Sequence, residues 1–155
     1  MTALRGLLVA IELATRQRDD AGQALAQAVR RVDRAREQME QLQSYATDTS
    51  ARWSVASQAS ATPQIVGHYY QFMERLEQTI GLQQGVIQDL QLQRQTANRV
   101  LLDAELRIAG LNQVLEQRRA ELAREQAQRD QKESDELAAQ MHRRVAQARN
   151  TGRNA

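Results

Sequence analysis

Apolar residues recur along this chain at alternating strides of four and three. From Tyr69 the stops are Met73, Leu76, Ile80, Gln83, Ile87, Leu90, Arg94, Ala97, Leu101, Ala104, Ile108, Leu111, Leu115, Arg118 and Leu122. Only Gln83, Arg94 and Arg118 are polar. A 3.5-residue period held this long predicts the seam of an α-helical coiled coil. A second stripe runs through Leu4, Leu7, Ile11, Ala14, Arg18, Ala21, Leu25, Ala28, Val32, Ala35, Met39, Leu42 and Ala46, then Thr49, Trp53 and Ala56. Folding the chain so that facing residue numbers total 122 sets every stop against a stop, with large against small: Ala14 on Ile108, Ala21 on Leu101, Leu25 on Ala97, Ala35 on Ile87. Such layering suits close interdigitation. A slip of seven residues would also align the stripes; the size match and the turn length favour 122. The two awkward arginines both meet alanine, Arg18 opposite Ala104 and Arg94 opposite Ala28, and are expected to fix register.

The fold class this predicts is all-α: a long antiparallel two-helix coiled-coil hairpin forming a single domain over 1–155. Helix one is expected over about 2–57 with Thr2 as N-cap, and the turn over about 58–62. Helix two is expected over about 63–148, with Thr62 as N-cap and Pro63 in the first turn, where its missing N–H is harmless. A frayed tail is expected over 149–155. Helix two would be about 130 Å long at 1.5 Å per residue. It outlasts its partner by about 25 residues, a lone helix of marginal stability in water. That projection is almost wholly polar until Leu137, Met141 and Val145 make a short uncovered stripe. Arg129 with Glu133 and Lys132 with Glu136 are spaced for i, i+4 ion pairs.

Composition agrees. Of 155 residues, aromatics are 3% and proline occurs once, as in long helices rather than compact globules. The formal charge is only +2, with acids and bases interspersed. That describes a solvated surface rather than a polyanion-binding patch, so nucleic acid is not an expected partner. Cysteine is absent, which removes disulfides and thiolate metal sites. The run Leu7 to Ile11 is too short for a signal peptide or a membrane span, so no direct membrane insertion is expected. His68 and His142 lie far apart on one helix, and nothing assembles a catalytic constellation; neither an enzyme nor a cofactor is expected. Phe72 sits one position off the seam, with Tyr45 and Tyr70 near the same end. This group reads either as packing over the seam or as a partner-binding patch.

Two segments resemble a known family. Tyr69-Tyr70-Gln71-Phe72-Met73-Glu74-Arg75-Leu76-Glu77 is similar to the opening of the second helix in the flagellar FliJ protein family, with its Tyr-x-x-Phe-x-x-x-Leu pattern. Asp130-Gln131-Lys132-Glu133-Ser134-Asp135-Glu136-Leu137-Ala138 resembles its C-terminal signature. The resemblance covers nearly the whole chain. It implies a non-enzymatic stalk of the flagellar type III export apparatus, similar to the γ subunit of rotary ATPases. Such a stalk is cytoplasmic, and peripheral at the inner membrane when assembled. The implied partners are the hexameric export ATPase, the export-gate membrane protein and export-substrate chaperones. The family's gate-binding face maps onto Gln38, Leu42, Tyr45, Phe72 and Leu76, while Thr49, Thr79 and Gln83 on that face depart from its usual residues. Leu76, opposite only Ala46, is expected to be poorly covered. The ATPase-binding residues expected are Arg129, Lys132, Asp135, Glu136, Leu137, Met141 and Val145 on the projection, with Leu4 at its base. A nucleic-acid-binding coiled coil and a purely structural scaffold are the alternatives; steep loss of DNA binding with salt would mark the first and self-association the second.

Overall fold

The computed structural model describes residues 2–57 and 61–153, the side chains of Thr2 and Ser57 excepted. Two α-helices make up the chain, α1 over Thr2–Ser57 and α2 over Pro63–Arg153, packed as an antiparallel hairpin. The two divide into two compact units. One combines Met1–Glu12 with Ile108–Ala155, and the other is Leu13–Arg107.

In the larger unit the seam is where the stride puts it. Ala14, Ala21, Ala28, Val32, Ala35, Met39 and Leu76 are buried, and Leu25, Leu42, Ala46, Ile80, Ile87, Leu90, Ala97, Leu101 and Ala104 are half-buried. Val32 is fully covered, and four of the other five buried members of α1 are alanines. A small side chain lets the facing helix approach until its larger residue closes over it. The register follows from direct contacts. Trp53 stacks on Tyr69 with ring centroids 4.4 Å apart and planes 7° from parallel. Those two residue numbers total 122, so the seven-residue slip is excluded. In the other unit Ile108 and Leu115 are buried, with Leu4, Leu7, Ile11 and Leu111 half-buried.

The start of α2 has its expected cap. Thr62 Oγ1 accepts a long 3.4 Å hydrogen bond from the N–H of Ile65, and the Thr62 carbonyl accepts from Val66 at 3.1 Å. One donor of the first turn is thereby satisfied, and Pro63 lacks another. The cap expected of the Thr2 side chain, and the turn expected over 58–62 as far as residues 58–60, lie outside the described residues.

Four expectations need correction. First, α2 does not fray from 149 but continues to Arg153. No glycine or proline breaks it before Gly152, the Thr151 hydroxyl donates to the carbonyls of Gln147 and Ala148, and Arg153 sits in the last turn, where a cation meets the negative end of the helix dipole. Second, the seam arginines carry no buried charge. Arg18 turns outward to Asp19 Oδ1 at 3.1 Å, and Arg94 is exposed. A guanidinium on a long stem reaches water more cheaply than it desolvates. Third, the ion pairs Arg129–Glu133 and Lys132–Glu136 are not formed; among the described residues the ion pair present is Arg18–Asp19. Instead Gln126 donates to Asp130 and Gln131 donates to Asp135, each at 3.1 Å and one turn apart. Fourth, Leu76 is buried, 8% exposed, rather than poorly covered.

None of the described glycines has a positive φ, and a Cβ added at Gly81, Gly85 or Gly110 meets nothing within 4 Å. These positions therefore cost helix stability with no local steric return. Replacing all three with alanine is expected to raise stability by about 2–3 kcal/mol and the thermal midpoint by about 5–10 °C. Helical circular dichroism on heating measures this; an unchanged or lower midpoint would mean that the open backbone is tolerated for another reason.

Candidate interaction site

Along a seam this regular, one departure stands out. Gln83 occupies a stop meant for an apolar residue, and its side chain is half-buried. Its Nε2 donates across the hairpin to the Ala35 carbonyl at 2.9 Å and to Gln38 Oε1 at 3.2 Å. Half-buried at the edge of an open groove, the amide takes partners on the facing helix. A carbonyl inside a helix already receives one hydrogen bond, and its second lone pair is free for this use. Gln83 thus joins the two helices by a polar contact that a one-layer slip would break. The register role expected of Arg18 and Arg94 belongs to Gln83.

Around Gln83 an open groove is lined by Gln38, Gln41, Leu42 and Tyr45. Tyr45 then meets Phe72 edge-to-face, with centroids 5.9 Å apart and planes at 77°, a favoured aromatic geometry. Both rings remain open to solvent, Tyr45 at 56% and Phe72 at 40%. The structure therefore brings together Gln38, Leu42, Tyr45 and Phe72. Leu76 is buried in the seam and is not part of the exposed surface. Of the neighbouring positions, Thr79 spends its hydroxyl on the Arg75 carbonyl at 2.9 Å, Thr49 is half-buried, and Gln83 is held as described. Gln41 was not foreseen as part of this face; it follows Gln38 by three residues, the helical spacing that puts both on one side.

All five aromatic residues of the chain, Tyr45, Trp53, Tyr69, Tyr70 and Phe72, fall in this region. Tyr70 meets Tyr69 edge-on at 5.5 Å, extending the Trp53–Tyr69 stack. The stretch Ser44 to Thr62 is rich in Ser, Thr and Ala and weak in helix propensity. Stacked rings supply there the packing that aliphatic residues supply elsewhere.

The second group of expected site residues is spread along α2. Every described residue from Glu116 to Arg153 is exposed, among them Arg129, Lys132, Asp135 and Glu136. Leu137, Met141 and Val145 are 60%, 65% and 53% exposed, an apolar line with no cover. Leu4 is half-buried on α1. Among the described residues no cluster of His, Asp and Glu is arranged to hold a metal ion, and no helix is long and apolar enough to cross a membrane.

A two-helix hairpin with polar flanks, an aromatic surface over one stretch of its seam and a solvent-exposed helical extension belongs to the class of coiled-coil interaction proteins. The family model described as flagellar FliJ protein matches residues 6–147, nearly the whole chain. The chain belongs to the flagellar FliJ protein family, and is a component of the flagellar protein-export apparatus from a family of non-enzymatic structural and escort proteins. No curated protein and no solved structure matches it.

Proposed function

We propose that this chain is the stalk of the flagellar type III export apparatus, promoting assembly of the hexameric export ATPase and linking it to the export gate and to substrate chaperones. In this reading it is cytoplasmic and becomes peripheral at the inner membrane on assembly. Gln38, Leu42, Tyr45 and Phe72 contact the gate. Arg129, Lys132, Asp135, Glu136, Leu137, Met141 and Val145, with Leu4, contact the ATPase.

The observation that carries the gate contact is the Tyr45–Phe72 pair. Two aromatic rings off the seam keep large exposed faces beside hydrogen-bonding amides, the composition of an interface centre. The test uses Tyr45→Ala with Phe72→Ala and leaves the buried Leu76 in place. Binding to the cytoplasmic domain of the gate protein, followed by calorimetry, is expected to weaken at least about tenfold, as for loss of an aromatic anchor. Helical content should stay at the wild-type level. If the double variant binds as tightly as wild type, the rings serve only to pack the hairpin.

A further inference from the structure

The extension of α2 is electrically divided. Residues 130–136 carry Asp130, Glu133, Asp135 and Glu136 against a single Lys132, whereas 137–153 carry Arg143, Arg144, Arg149 and Arg153 and no acid. Leu137, Met141 and Val145 lie astride the boundary. At 3.6 residues per turn they share one arc of the helix, together with Asp130, Ser134 and Ala148. Glu133 and Arg144 border that arc on one side, and His142 and Arg149 border it on the other. All are exposed, and neither Glu133 nor Arg144 is in an ion pair.

An acidic half followed by a basic half is complementary to itself when reversed. We propose that the extension pairs with the same segment of a second copy, forming an isologous antiparallel dimer through residues 130–149. Set Leu137 of one copy against Met141 of the other. The two-fold axis then repeats that layer, so four apolar side chains close over one another. In the same register Glu133 meets Arg144 of the second copy, and Arg144 meets its Glu133. Asp130, within the arc, comes opposite Ala148 of the second copy. In antiparallel pairing like flanks face like flanks, so Glu133 arrives on the side where Arg144 is waiting. The parallel arrangement sets acid on acid and base on base. A lipid surface suits this arc less well: an interfacial helix presents Trp or Phe, and every aromatic of this chain lies between Tyr45 and Phe72.

The interface is small, so association in the range of about 1–100 µM is expected. Sedimentation equilibrium of the full chain across that range reads it directly. Wild type should pass from monomer toward dimer as concentration rises. Glu133→Arg and Arg144→Glu should each hold the chain monomeric, because each sets like charges together twice. An equimolar mixture of the two single variants should dimerise again, since every crossing pair is then opposite in sign, and the double swap on one chain should dimerise with itself. Circular dichroism of each variant should match wild type, because both positions are exposed. A wild type that stays monomeric throughout, single variants that associate like wild type, or a mixture that fails to re-form dimer would each overturn the proposal. The measurement involves this chain alone, so its outcome is separate from that of the ATPase contact.

Discussion

Removing residues after Arg129 is expected to abolish stimulation of export-ATPase assembly while leaving the hairpin folded and its gate binding intact. The expectation rests on burial. The last buried residue of α2 is Leu115, and every described residue beyond it is exposed, so the truncation strips no seam contact. What it strips is Leu137, Met141 and Val145 with the charges beside them, an apolar line that α1 does not cover. A helix of that kind suits insertion into a ring or groove. The measurement is ATP hydrolysis against ATPase concentration, with full-length and truncated chain. Full-length protein should shift the cooperative rise to lower ATPase concentration, and truncated protein should give the curve of the ATPase alone. Equal stimulation by both would move the contact onto the hairpin.

The second large effect separates two residues four apart. Leu76→Ala is expected to destabilise the hairpin by about 2–4 kcal/mol, the range for truncating a buried leucine. Phe72→Ala should cost about 1 kcal/mol or less, because its ring is substantially exposed and pairs edge-to-face with the likewise open Tyr45. A seam has little other core to absorb the first loss, so thermal melts of the two variants should differ by roughly 5–10 °C. Equal melting of both would mean that Leu76 is not part of the core.

Leu76 also shows where the linear pattern stops being informative. Counting one facing residue per stop leaves it opposite Ala46 alone. A seam side chain enters a hole formed by four residues of the facing helix, so the small direct partner permits deeper insertion instead of leaving it bare. The stride itself was readable because it repeats over many turns, and the 122 pairing because large and small residues alternate in a mirrored order. Thr62 and Pro63 were readable as a helix start because both act through their own backbone neighbours. Polar seam residues were not, since their fate depends on the partners around them. Arg18 turns out to its neighbour Asp19, Arg94 is exposed, and Gln83 finds its partners across the seam. The i, i+4 spacings of the extension show which side chains are able to meet, and two amide–carboxylate pairs form where ion pairs were expected. The surface proposed for the gate was legible only as a set of positions; the groove around Gln83 requires the facing helices to be present.

Trp53 is the single tryptophan, and it lies flat on Tyr69. Its emission is therefore a local gauge. It responds when the ends of α1 and α2 that carry the aromatic cluster separate, and it is silent to melting of the region beyond Leu115. Backbone ellipticity, by contrast, weighs every turn of both helices. Heating the protein while recording both signals would reveal whether the hairpin opens from its aromatic stretch or loses its bare helix first, and a ligand that quenches the indole without altering ellipticity would have bound beside Tyr69.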